Sequence, residues 1–234
     1  MDRREFNGVA SGTLAAVLVL AGTRAHALSL SDLSNAEASQ GLRTALERGA
    51  IAAIDILGKS DGFLGNDKVR IRLPGFLEDA AKLLKSLGQG KRVDELVTSM
   101  NRAAETAVPM AKGLLIAAVK SMSVSDARKI LAGGDTSVTD FFVEKTREPL
   151  SVKFLPIVAK AMDKVGLAEK YNRVASKAAG LGLVKKEDAN IQRYVTGKTL
   201  DGLYYMIGEE EKQIRQDPVG TGSAVLKKVF GALK

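Results

Sequence analysis

Residues 61–74 read DGFLGNDKVRIRLP, and the fold class turns on what the run Val69-Arg70-Ile71-Arg72-Leu73 becomes. Apolar and charged side chains alternate strictly there, the pattern of a short extended strand with one buried face. One isolated strand makes no sheet, and everything beyond Pro74 repeats its apolar residues at helical spacing. The expectation is an all-α, multi-helix orthogonal bundle with, at most, one short extended segment over residues 69–73.

Working outward, Ser29 to Leu57 places Leu33, Leu42, Leu46, Ile54 and Leu57 on a helical repeat, one long or broken helix that Asp61-Gly62 ends. Pro74 suits a first helical position, where a missing amide proton costs nothing, and Phe76 to Leu87 is amphipathic up to Gly88. Val93 to Thr106 follows with Asp94 and Glu95 in its first turn, and Pro109 opens or kinks a helix running to about Met122. Ser123-Val124-Ser125-Asp126 offers caps for Ala127 to Leu131, which Gly133-Gly134 stops. Thr136 to Arg147, Pro149 to Val165, Ala168 to Ala179, Glu187 to Tyr194 and Thr196 to Gln216 are read as separate helices. Asp217-Pro218 breaks the last of these, and Ser223 to Leu233 makes a final basic amphipathic helix. Segments 106–122 and 146–162 look alike, pairing Thr106 with Thr146, Pro109 with Pro149 and Met122 with Met162. Two copies fall short of the ~3 a solenoid needs, so chance likeness of two proline-started helices is the preferred account.

Residues 1–27 have the layout of a secretion signal: Arg3 and Arg4, then an apolar stretch from Val9 to Ala21, then Ala25-His26-Ala27 as a small-x-small site. The paired arginines, an apolar stretch diluted by Ser11, Gly12 and Thr13, and Arg24 beside the cleavage site favour twin-arginine export over the general secretory route. Cleavage after Ala27 leaves 28–234 as a single helical domain, expected in the periplasm. The apolar stretch is shorter than the ~18 to 20 residues a spanning helix needs, and no cysteine follows it to carry a lipid.

The whole chain has 234 residues, 45% hydrophobic and 26% charged, enough to enclose a helical core. It has no cysteine, and its sole histidine, His26, lies in the segment to be discarded. A mature chain without either residue excludes Ser-His-Asp and Cys-His nucleophiles and zinc sites built on imidazole or thiolate. Carboxylate acid and base work, lysine chemistry and oxygen-ligated cations remain. No cofactor is assigned. The formal charge of +8 falls only to about +7 on cleavage, because three arginines leave with two carboxylates. That balance is compatible with an anionic membrane surface or a polyanion, although many exported globular proteins are as basic with no such partner and that reading is favoured; nucleic acid is set aside because Lys and Arg are dispersed and lack interleaved aromatics.

Among the oxygen-bearing residues, Asp61, Asn66 and Asp67 share a glycine loop that offers three cation ligands, although the same residues are ordinary turn formers and that reading is favoured. Asn101 and Glu105 lie one helical turn apart with Arg102 beside them, an arrangement for holding an anionic ligand or for an intrahelical ion pair. Asp201 and Arg215 belong to one helix; Asp201 is a second candidate acid, Arg215 a candidate anion contact, and the Glu211–Arg215 pair is read as a solvated face. Phe141, Phe142, Phe154 and Tyr171 are read as core, with the alternative that aromatics and Met110, Met122 and Met162 line an apolar cavity for a lipid tail.

Asp61-Gly62-Phe63-Leu64, Ile71-Arg72-Leu73-Pro74, Met100 to Glu105, Asp126-Ala127 with Ile130-Leu131, and Tyr194-Val195 with Leu200-Asp201-Gly202-Leu203 together resemble the domain of unknown function 4197 family. Further agreement comes from Glu209-Glu210-Glu211, Ile214-Arg215, Asp217-Pro218 and Val229-Phe230-Gly231, so it covers nearly the whole chain after the leader. The resemblance implies an exported, helical bacterial protein and carries no activity with it. The expected function is that of an exported, non-enzymatic binding or envelope-associated protein holding an amphipathic or lipid-like ligand between helices. The alternatives are an imidazole-free enzyme using Glu105 or Asp201 on an anionic substrate positioned by Asn101, Arg102 or Arg215, and a structural partner of other envelope proteins.

Overall fold

A computed structural model describes residues 35–216 apart from 164, 183, 184, 186 and 187. The leader, Asp217-Pro218 and the basic segment 223–233 lie outside the described residues. Among the described residues eight α-helices follow one another: α1 Asn35–Leu57, α2 Glu78–Leu84, α3 Gly90–Ala107, α4 Lys112–Lys120, α5 Val124–Ala132, α6 Ser137–Met162, α7 Gly166–Gly180 and α8 Ile191–Gln216. Among the described residues there is no strand, so the all-α expectation holds.

The two longest helices, α6 and α8, lie along one another and form the centre; α1 packs on α8 and α4, and α3 on α6. Along α6 the buried positions Phe142, Thr146, Leu150, Phe154, Val158 and Met162 recur every four residues, a continuous stripe turned into the core. That stripe explains a correction. Residues 136–147 and 149–165 are not two helices, because Pro149 and Pro156 lie inside α6 on its exposed side. The carbonyls that each proline leaves unpaired face water there, so burial of the opposite stripe carries the helix through. The likeness to 106–122 ends here as well: Pro109 sits in a short 3-10 turn, Val108–Ala111, between α3 and α4.

A second merger joins 191–194 to 196–216 as α8. Pro74, expected inside its helix, instead precedes the 3-10 turn Gly75–Leu77 as its cap residue, with an extended backbone. Ser123 and Asp126 form a reciprocal capping box that starts α5 at Val124, three residues earlier than the periodicity alone indicates.

Residues 70–74 are neither helix nor strand. In place of a neighbouring strand, the side-chain amide of Asn101 supplies both backbone partners of Ile71: the Ile71 N–H donates to Asn101 Oδ1 at 2.8 Å, and Asn101 Nδ2 donates to the Ile71 carbonyl at 2.9 Å. The alternation still decides the orientation, with Val69 and Ile71 buried while Arg70 and Arg72 face out. The segment is therefore an irregular stretch pinned to α3 through Asn101 and to α8 through Tyr194, whose hydroxyl donates to the Arg72 carbonyl. Among the described residues no single helix is long and apolar enough to cross a membrane.

Candidate functional site

The DGFLG loop leaves α1 through Asp61, which adopts a left-handed backbone (φ 64°), a conformation that a short polar side chain tolerates. At Gly62 a Cβ would stand 2.4 Å from the Leu57 carbonyl oxygen, so only glycine fits. The turn drives Phe63 into the core, where its ring fills the space that a side chain at Gly202 of α8 would need. Glu105 holds the loop from α3: its Oε1 accepts the N–H groups of Phe63 and Leu64, each at 3.1 Å, and its Oε2 accepts from Arg102 Nη1 at 2.6 Å. Arg102 also donates to Asp61 Oδ1 at 2.8 Å and to Ser60 Oγ at 3.1 Å. Glu105 is only 5% exposed. The cluster is thus occupied within the fold: Asn101 and Glu105 bind the backbone of Ile71, Phe63 and Leu64, while Arg102 binds Glu105 and the side chains of Ser60 and Asp61.

Asn66 Oδ1 accepts the Lys68 N–H at 3.2 Å, a local turn, and Asp67 is exposed. Asp61 and Asn66 therefore hold different partners, Arg102 and the Lys68 amide. Among the described residues no three His, Cys, Asp or Glu side chains are grouped so as to hold a metal. Asp201 is exposed on α8 and pairs with Arg147 at 2.8 Å and Lys198 at 3.4 Å.

Glu211 and Arg215 require a correction. Far from forming a solvated face, their side chains are 1% and 15% exposed. Glu211 reaches from α8 to the start of α6, accepting the N–H groups of Val138 and Thr139, both at 3.2 Å, and the Thr139 hydroxyl at 3.3 Å. Arg215 donates to Glu211 at 2.9 Å, to Ser137 Oγ at 2.8 Å and to the Ile130 carbonyl at 3.2 Å. Thr136 gives α6 no side-chain cap, so the orphan amides of its first turn take a carboxylate from another helix, where the helix dipole favours negative charge. Nothing local announces this role; an i, i+4 pair looks the same whether it faces water or a helix end.

What the structure opens is a groove between α2, α3 and α7. Its volume is about 170 Å³, and its walls are Leu77 and Leu84 on one side, Val93 and Leu96 on the second, and Leu167, Tyr171 and Val174 on the third, closed by Leu73. Arg92, Lys170 and Gln89 are its polar members, and neither cation has an ion-pair partner among the described residues. Phe76 stands edge-on to Tyr171, ring centres 6.2 Å apart. Burial pushes the Tyr171 phenol above the usual tyrosine range and that of Tyr194 up to about 12. Both hydroxyls stay protonated near neutrality and donate to backbone carbonyls, Tyr171 to Asp188 and Tyr194 to Arg72, each at 2.8 Å. On the other side of α2, and sharing Leu73, Ala81 and Val93 with the first, a wider groove of about 480 Å³ is bordered by Arg70, Arg72, Lys82 and Lys85.

The apolar cavity expected around Met110, Met122 and Met162 is not this one. Met122 and Met162 are buried in the core and Met110 is exposed. Tyr171, one of the aromatics named for such a cavity, does line the groove, whereas its other walls escaped the sequence reading because they come from segments far apart in the chain. The available signal was α2 itself, whose leucines occupy more than one face.

The family described as protein of unknown function (DUF4197) matches residues 32–231. No curated protein and no solved structure matches the chain. The match spans α1 to α8 together with the DGFLG loop, the Asn101–Glu105 cluster and the groove, and on that extent the chain belongs to the DUF4197 family.

Proposed function

We propose that this chain is a non-enzymatic binding protein for a single-chain anionic amphiphile, held in the groove between α2, α3 and α7. The observation that carries the reading is an apolar cleft with two cations, Arg92 and Lys170, that no carboxylate of the described residues neutralises. An apolar wall takes a hydrocarbon chain out of water, and a guanidinium or ammonium beside it selects a carboxylate or phosphate head. Size narrows the ligand. At about 170 Å³, the groove is comparable to a ~150 Å³ cavity that accepts benzene, so it suits one chain segment and not a pair.

The enzyme alternative draws less support. Glu105, Asp201 and Arg215, its proposed acids and anion contact, belong to three separate networks, each engaged with other protein groups. Export is part of the same proposal: a leader over residues 1–27, cleavage after Ala27 and residence in the periplasm, where amphiphiles pass between membranes. N-terminal sequencing of protein recovered from a periplasmic fraction should begin at Leu28.

The binding test uses cis-parinaric acid, a conjugated single-chain carboxylate whose fluorescence rises on leaving water. Titration should saturate, Val174→Trp should abolish binding by filling the groove, and Arg92→Glu with Lys170→Glu should weaken it about tenfold or more, on a scale of ~1 kcal/mol per surface charge. Equal titration curves for the parent chain and Val174→Trp would defeat the reading.

A further inference from the structure

The segment from Gly75 to Gln89 has apolar residues on two faces. Leu77, Ala81 and Leu84, at i, i+4 and i+7, cover the groove. Phe76, Leu83 and Leu87 fall on a second stripe about 100° round the axis; Phe76 leans on Tyr171, but the two leucines have no cover, with Leu83 60% exposed and Leu87 66%. A short helix apolar on both sides is ordinarily buried on both. Here one side has only solvent.

The charges around that stripe fix what covers it. Residues 75–92 carry Lys82, Lys85, Lys91 and Arg92 against Glu78 and Asp79. Lys82 pairs with Asp79 and Lys85 with Asp94 at the exposed surface, leaving Lys91 and Arg92 without acid partners among the described residues. Lys170, Arg173 and Lys177 add cations along α7 beside the groove mouth, where Val174 is half exposed. Exposed leucines flanked by unneutralised Lys and Arg fit the headgroup region of an anionic bilayer, with the apolar side chains below the phosphates and the cations among them.

We infer that the elbow formed by Gly75–Gln89, through Leu83 and Leu87 with Lys91 and Arg92 at the start of α3, docks this protein on an anionic membrane surface. The docked face is continuous with the amphiphile groove, since α2 contributes one stripe to each. Its C-terminal turn, Lys85–Gln89, holds Gly88 at φ 75°, a conformation that glycine alone adopts without strain, and this sets the elbow off from α3. The inference deepens the amphiphile reading by naming where the ligand is taken up or released, and it is tested separately from it.

The test is co-sedimentation of the full chain with vesicles of phosphatidylcholine alone and of an equal mixture of phosphatidylcholine and phosphatidylglycerol. Comparing full-length variants that share the same termini cancels any binding by residues 1–34 or 217–234. The parent chain should bind the anionic vesicles better, and Leu83→Ser with Leu87→Ser should lower their partition coefficient by about tenfold or more, given the transfer free energy of two exposed leucines. Val152→Ser, which removes an equally exposed apolar side chain from α6, should change nothing. Both leucines are exposed, and unchanged circular dichroism and melting will confirm folding. The leucine variant should keep cis-parinaric acid binding without vesicles, whereas Val174→Trp should lose the fatty acid and keep the vesicles. Equal partition of parent and leucine variant overturns the inference whatever the fatty acid does. So does concentration-dependent dimerisation that the leucine changes abolish without altering vesicle binding, since that gives the face to a second copy.

Discussion

Replacing Glu105 separates a structural clamp from a catalytic acid. In Glu105→Ala the Phe63 and Leu64 amides both lose a charged acceptor at 3.1 Å, and the Phe63 amide is buried. A hydrogen bond to a charged group contributes about 1.5–3 kcal/mol, and breaking a buried charged contact from one side costs about 3–5 kcal/mol. Arg102 keeps Asp61 and Ser60, which holds the loss toward the middle of that range, about 4 kcal/mol. For a chain of this length such a loss lowers Tm by about 10 °C. Glu105→Gln retains an oxygen for the two amides but turns an NH₂ toward the guanidinium, so about 1–2 kcal/mol is expected. The assay is urea unfolding followed by circular dichroism, with the midpoint shifting and the slope unchanged, alongside thermal melts. Fatty-acid binding should be retained, because Glu105 is not among the groove's lining residues. A loss below about 1 kcal/mol for alanine, or alanine and glutamine melting together, would refute the clamp.

Asn101→Leu keeps the volume but orphans the N–H and carbonyl of Ile71, and urea midpoints should report a loss of about 2–4 kcal/mol. Gly62→Ala places a methyl group 2.4 Å from the Leu57 carbonyl oxygen; the turn must open, and melting should fall more than for Gly113→Ala, where nothing lies within 4 Å. Tyr194 ionises near 10 when unfolded and about 12 when folded, so its contribution is complete below pH 10 and is lost as pH rises through 12. Ultraviolet titration should show its ionisation delayed, and Tyr194→Phe should flatten the alkaline fall in stability. An alkaline titration that matches free tyrosine would contradict its burial.

The helices were legible because burial on one side imprints a 3.6-residue repeat, as in Val93 to Thr106, and because glycine and capping residues mark ends, as at Ser123 and Gly133. Two kinds of feature were not. Pro149 reads locally as a helix start, yet the α6 stripe from Phe142 to Met162 outweighs it, and that stripe matters only once α8 covers it. Glu211 and Arg215 look like any surface pair until the start of α6 arrives beside them. The Asn101–Glu105 cluster stands out in the sequence, but its tertiary partners, backbone groups of Phe63, Leu64 and Ile71 and the side chains of Ser60 and Asp61, lie 30 to 42 residues away, and no spacing along α3 reveals them. The groove shares that limit, since Leu77, Leu96 and Val174 meet only through tertiary packing.

The carboxylate that finishes the first turn of α6 sits 73 positions further along the chain, at Glu211. On the ribosome, where domains form in order of emergence, α6 would be complete in sequence long before its cap leaves the exit tunnel. Until Glu211 is made, the Val138 and Thr139 amides lack their carboxylate, so this end of α6 is finished late. Truncation just short of Glu211 should therefore unsettle a helix more than seventy residues upstream before it disturbs anything near the cut.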